Sequence, residues 1–140
     1  MKQSDSVPSR LPFTAQSMEA SLTVADVARS VAWYCDVLGF VVDREHVRDG
    51  RLIAVSLSAG AIRILVTQDN GALGSDREKG AGFSLRFTTT QDIDTLAAAA
   101  KRAGAVFDTE PMDAMGFRIF RLRDPDGFRL VISSVGQGGV

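Results

Sequence analysis

The feature that most constrains this chain is a pattern of punctuation that occurs twice. In its first occurrence, Glu19 to Val24 alternates like a strand, with Ala20, Leu22 and Val24 apolar and Ser21 and Thr23 polar. Asp26 stands where a helix N-cap belongs, and Val27, Val31, Tyr34 and Leu38 follow at helical spacing. Gly39 is placed to stop that helix. Strands are then predicted over Phe40 to Val47, Arg51 to Ser58 and Ala61 to Thr67, separated by the turns Arg48-Asp49-Gly50 and Ser58-Ala59-Gly60. The second occurrence begins with the alternating run Phe83 to Thr88. Asp92 caps a helix through Ile93, Leu96, Ala99 and Ala100, and Gly104 ends it. A short strand Ala105 to Asp108, a loop around Pro111, and strands Gly116 to Leu122 and Phe128 to Ser133 complete the copy. The last two strands are joined by Asp124-Pro125-Asp126-Gly127, a turn with proline second and glycine fourth. Repeated punctuation of this kind predicts an α+β chain of two tandem β-α-β-β-β modules.

The expected boundaries are a flexible arm over residues 1–17 and one domain over 18–134, then a flexible tail over 135–140. Within the domain, modules of about 18–67 and 82–134 are joined by a glycine-rich, charged linker at 68–81. A length of 140 residues suits a single domain with its own core. The net charge of −1 argues against general binding of nucleic acid, which needs a basic face. Cys35 is the only cysteine, so an intrachain disulfide or a zinc site built from cysteines is excluded. A cytoplasmic setting is expected from that. No segment reaches the roughly 18 apolar residues needed to cross a bilayer, so no membrane partner is expected.

Two stretches carry a resemblance. The run from Leu22 to Phe40 holds Val24, Asp26, Ser30, Trp33-Tyr34, Asp36 and Leu38-Gly39-Phe40 in the order V-x-D-…-S-x-x-(W/F)-Y-x-D-x-L-G-F. With Arg123-Asp124-Pro125-Asp126-Gly127-Phe128 it resembles the vicinal-oxygen-chelate superfamily of glyoxalase, bleomycin-resistance and ring-cleaving dioxygenase proteins. The likeness spans roughly Met18 to Ser133. It implies a cup-shaped mixed sheet with helices outside, commonly paired as a homodimer, the cup closing either within one chain or between two.

In metal-dependent members the resemblance places the metal ligands on the first and last strands of each module. Here those positions are Glu19, Leu65, Ser84 and Val131. Only Glu19 can ligate, whereas a catalytic divalent ion generally takes about three protein ligands. No metal and no other cofactor is therefore expected. Alternation places Ser21, Thr23, Arg63, Thr67, Arg86, Thr88, Arg129 and Ser133 on the inner face with those four, and Ala20, Leu22, Ile62, Ile64, Val66, Phe83, Leu85, Phe87, Phe128, Leu130 and Ile132 on the outer one. Arg63, Arg86 and Arg129 thus form a candidate clamp for an anionic group, with Glu19 as orienting partner or proton acceptor. The plainer alternative is a wet sheet face on which Glu19 pairs with an arginine.

Trp33, Phe117 and Phe120 are candidate stacking residues for a planar ligand, although a tryptophan placed like Trp33 on its helix more often serves the core or a dimer interface. Met115, in a segment Glu110 to Gly116 that resembles a flexible flap, is a candidate lining residue. His46 is expected as a solvated edge residue, and Cys35 as a buried inert thiol. The function expected from the sequence is binding of a small molecule without a metal, the cup suited to an anionic or planar ligand. Standard metal-dependent glyoxalase or dioxygenase activity is disfavoured. The alternatives are a lyase, isomerase or dioxygenase with an atypical site around Glu19, and a dimerising or regulatory protein with a vestigial cup.

Overall fold

The structure, a computed structural model, describes residues 10–72, 74 and 78–136. The elements are β1 (Ala20–Val24), α1 (Val27–Leu38), β2 (Val41–Arg48), β3 (Arg51–Ala59) and β4 (Ile62–Gln68), then β5 (Ser84–Thr89), α2 (Ile93–Arg102), β6 (Phe107–Ala114), β7 (Phe117–Arg123) and β8 (Arg129–Ser134). They form two separate four-stranded sheets of matching order, β1-β4-β3-β2 and β5-β8-β7-β6. In each sheet the first strand runs parallel to the last and the other pairs are antiparallel. The doubled punctuation is thus a doubled fold.

The local chemistry explains the boundaries. Asp26 accepts the Arg29 N–H at 3.1 Å and Asp92 accepts the Thr95 N–H at 2.9 Å, which satisfies donors that the first helical turn cannot. Gly39 takes φ +72°, a left-handed conformation that other residues adopt only at a cost, and chain reversal into β2 follows. The end of α2 is closed by Ala105 N–H on Ala100 C=O and Gly104 N–H on Lys101 C=O, each 3.0 Å.

Leu22, Val24, Val55, Leu57, Ile64 and Val66 of the first sheet share one core with Phe120, Leu122, Leu130 and Ile132 of the second. Helix α1 packs on its own sheet and against α2, so the modules meet through their helical sides. Two residues expected on that outer face, Ile62 and Phe83, lie at strand starts and remain 41% and 50% exposed.

Two expectations are corrected. The segment around Pro111 is strand, because β6 continues to Ala114 beside β7. Proline is accommodated there because β6 is an edge strand and its register shifts between Thr109 and Met112. The expected flap over Glu110 to Gly116 is therefore reduced to the turn at Met115-Gly116. Residues 10–19 carry no helix or strand and are exposed, while residues 1–9 of the expected arm and 137–140 of the expected tail lie outside the described residues, as do 73 and 75–77 of the linker. Among the described residues, no helix is long and apolar enough to cross a membrane.

Candidate functional site

The pleat sorts the sheets as strand alternation requires. Ser21 lies opposite Leu65 and Thr23 opposite Thr67 on the side of the first sheet away from the core, the inner, concave side of the cup that the resemblance implies. On the second, Ser84 faces Arg129, Arg86 faces Val131 and Thr88 faces Ser133. The register continues into β7, where Ile119 lies opposite Ser133, Arg121 opposite Val131 and Arg123 opposite Arg129. Four arginines, Arg86, Arg121, Arg123 and Arg129, therefore share the concave side of the second sheet.

Among the described residues, one of those four has a carboxylate partner. Arg123 donates to Asp108 at 2.8 Å. Arg86 donates instead to the Ser133 hydroxyl at 2.9 Å, and its guanidinium carbon stands 4.6 Å from the centre of the Phe117 ring. The Phe117 ring is closely backed by Gly136, where a Cβ would stand 2.8 Å from it. Hydrogen bond and ring hold the Arg86 fork in a fixed plane. Arg121 and Arg129 have no hydrogen-bond or ion-pair partner among the described residues.

The remaining candidates disperse. Arg63, on the first sheet, pairs with Asp43 at 3.2 Å and not with Glu19. Glu19 is exposed just ahead of β1 and makes no ion pair among the described residues. Met115 is 96% exposed at the β6–β7 turn, with φ +54°. Of the aromatic expectations, that for Phe120 is corrected, and Trp33 takes the core position weighed for it. Phe120 is fully buried and stacked on Phe107 with ring centres 5.1 Å apart, so it belongs to the core and not to a rim. Trp33 packs against the core edge-on to Tyr34 at 4.9 Å, on the helical side of the first module. His46 lies on the edge strand β2, as expected, yet is half-buried opposite Ala54. Burial, aided by the adjacent Asp36, pushes the Cys35 thiol up, which makes it a poorer nucleophile.

Two cavities flank the Arg86–Phe117 pair. One, of about 860 Å³, is a cleft between the modules that Arg86, Thr88, Phe40, Phe87 and Ile62 help to line. The other, of about 590 Å³, lies at the start of α2 beside Phe117 and Arg118. The metal-binding positions implied by the resemblance do not fit a divalent ion. Leu65 and Val131 have no donor atoms, unpaired arginines surround Val131, and no group of three His, Cys, Asp or Glu is assembled among the described residues.

The Asp124-Pro125-Asp126-Gly127 turn does more than reverse the chain. Gly127 N–H closes it on Asp124 C=O at 2.9 Å. The Asp124 carboxylate, 5% exposed, accepts the Tyr34 hydroxyl at 2.7 Å and the N–H groups of Asp126 and Phe128 at 2.9 Å each. Burial pushes the Asp124 carboxyl above its ordinary range, with the Tyr34 and backbone hydrogen bonds opposing it. The Tyr34 hydroxyl is driven far above its ordinary value, first by burial and then by the Asp124 charge. Asp126 accepts the Ala25 N–H at 2.8 Å and the Lys79 ammonium at 3.1 Å, and Lys79 also meets Asp69 at 3.3 Å. The turn of the second module is thus latched to the β1–α1 junction of the first.

Relatives agree with this architecture. UcmS2 is 14% identical with a TM-score of 0.71, over 86% of this chain and 98% of that one. TnmS3, an antibiotic binding protein from Streptomyces sp. CB03234, is 15% identical with a TM-score of 0.70, over 89% and 98%. A glyoxalase/bleomycin resistance protein/dioxygenase family enzyme from Burkholderia phytofirmans PsJN is 22% identical with a TM-score of 0.64, over 84% and 96%. No curated protein matches the chain. The helix motif, the latched turn and all of the doubled module except the last two residues of β8 fall within residues 15–132, the span matched by a family profile. On that match the chain belongs to the Glyoxalase/Bleomycin resistance protein/Dioxygenase superfamily.

Proposed function

We propose that this protein binds a small molecule in its cup without a metal, on the concave side of the second sheet. The observation that carries the reading is the Arg86 guanidinium, fixed by Ser133 and Phe117 and without a carboxylate partner among the described residues. An arginine so held, beside two further unpaired arginines, offers a preorganised charge to a ligand. The likeness of fold to TnmS3, an antibiotic binding protein, supports binding in preference to chemistry. The poor donor set at Glu19, Leu65, Ser84 and Val131 supports independence from metal.

The working form is a cytoplasmic homodimer. Val41, Val42 and Val47 on the edge strand β2 are 63%, 42% and 60% exposed, an apolar surface suited to a second copy. Light scattering tests this, with the expected mass being twice the 15.0 kDa of one chain.

The direct test is a thermal-shift screen of chelator-treated protein across planar antibiotics, aromatic acids and glutathione conjugates, beside metal analysis of untreated protein. Stabilisation by at least one planar or acidic compound, abolished by Arg86→Gln, is the expected result. Stoichiometric Zn, Ni, Mn or Fe in the purified protein, or no stabilisation by any compound, contradicts the reading.

A further inference from the structure

The ligand class can be narrowed from the layout of the arginines, on the proposal that the concave side of the second sheet is the binding face. Arg86 on β5 and Arg121 on β7 lie opposite the same residue, Val131, from its two sides. Adjacent strands are about 4.8 Å apart, which sets these two backbones roughly 10 Å from one another, and the Arg86 side chain reaches across β8 to Ser133 and the Phe117 ring at the start of β7. Arg129 lies two residues before Val131 on β8, about 7 Å along the strand. Val131 is 9% exposed and Ile119 is 3% exposed, so the ground between the arginines is apolar.

The electrostatics are one-sided. Arg86, Arg121 and Arg129 have no carboxylate partner among the described residues, although the whole chain carries a net charge of −1. Other arginines of the same protein do find carboxylates. Arg118 bonds Asp94 and Asp113, Arg123 bonds Asp108, and Arg63 bonds Asp43. Three like charges on one sheet face repel each other, and an arriving anion relieves that repulsion.

We infer that the ligand is a planar aromatic molecule with two anionic groups, lying across β8 and β7 with one anion at the Arg86 guanidinium beside Ser133 and Phe117 and the other at Arg121. Arg129 adds charge at the side of the ring. The Arg86 guanidinium, already layered on Phe117, extends that layer to the ligand ring. A single anion would engage one end of this arrangement and leave the other arginine unmatched.

Three probes of one shape test the class: naphthalene-2,6-dicarboxylate, 2-naphthoate and naphthalene-2,6-dicarboxamide, titrated calorimetrically at low salt. The dianion is expected to bind at least about tenfold tighter than the monoanion, and the uncharged diamide weakest. Arg121→Gln should lower dianion affinity about tenfold and leave the melting temperature unchanged, since Arg121 is exposed and unpartnered. Arg102→Gln, at the end of α2, should change neither. Equal binding of diamide and dianion overturns the class while leaving a planar-ligand cup intact. Dianion affinity indifferent to Arg121→Gln overturns the placement. Failure of all three probes overturns the class, and the broader screen then decides whether the binding reading falls with it.

Discussion

Replacing Tyr34 by Phe should cost far more stability than the loss of one surface hydroxyl would. The Tyr34 hydroxyl is the one side-chain donor to Asp124 among the described residues, at 2.7 Å. The other oxygen of that carboxylate takes both backbone N–H groups, from Asp126 and Phe128. Tyr34→Phe therefore leaves a buried carboxylate oxygen with no donor, in a side chain that water barely reaches. Hydrogen bonds to charged groups contribute about 1.5–3 kcal/mol, so about 2 kcal/mol is the expected loss. Unfolding entropy of about 2.1 cal/mol/K per residue, over this chain, converts that to a fall in Tm of about 7 °C. Scanning calorimetry at pH 7 measures it. A Tm within about 2 °C of the parent would show that the latch does not hold the modules together.

The same carboxyl predicts a pH dependence whose sign is fixed. Burial raises the folded-state pKa of Asp124 above its unfolded value of 3.8. A group raised in this way binds protons more tightly in the folded state. Its contribution is fully present below the unfolded value and is lost as pH rises through the folded value. Asp124→Asn removes that titration while keeping an oxygen for the two backbone donors. The stability of the parent relative to Asp124→Asn should therefore fall as pH rises from about 4. A difference that is flat or grows with pH would contradict the assignment.

Further outcomes follow from other contacts. Phe120→Ala should destabilise by about 3–5 kcal/mol as a large core deletion, whereas Phe117→Ala should cost much less and weaken ligand binding, by paired melts and titrations. Lys79→Met removes the nearer of two cations from the Asp126 carboxylate, 3% exposed in its side chain, and leaves only Arg29 at 3.8 Å; it should cost about 2 kcal/mol in denaturant melts, partly restored by adding Asp126→Asn. The hydrogen bond from Arg118 holds the Asp94 carboxyl below its ordinary range, so Arg118→Gln should return it upward in an NMR titration. In the parent, this pair adds stability above the unfolded pKa of Asp94 that is lost as pH falls through the folded one.

The fold was legible because its signals are local. Asp26 and Asp92 cap, Gly39 and Gly104 stop, and the alternation of Ser84-Leu85-Arg86-Phe87 assigns sides without any knowledge of the partner strand. Where sequence reasoning failed, the deciding contact was distant or the parity was not followed. Phe120 lies three residues from Phe117, so the two rings point to opposite sides of β7, and only one can face the cup. The same parity marks Arg121, which lies on β7, a strand to which the resemblance assigns no metal ligand. Arg63 finds Asp43 across the first sheet, a pairing set by the irregular register of β2 near Val42 and Arg44. The latch joins positions 90 apart in the chain, and a turn motif alone cannot announce what its carboxylates will meet.

The central claim is that this cup binds an anion through arginines and needs no metal to do so. The most direct measurement titrates naphthalene-2,6-dicarboxylate into chelator-stripped protein, and into the same protein reloaded with Zn²⁺ and then freed of excess ion. The account predicts the same affinity in both, lost in Arg86→Gln. Binding that appears only after metal is restored, with affinity indifferent to Arg86→Gln, would contradict it.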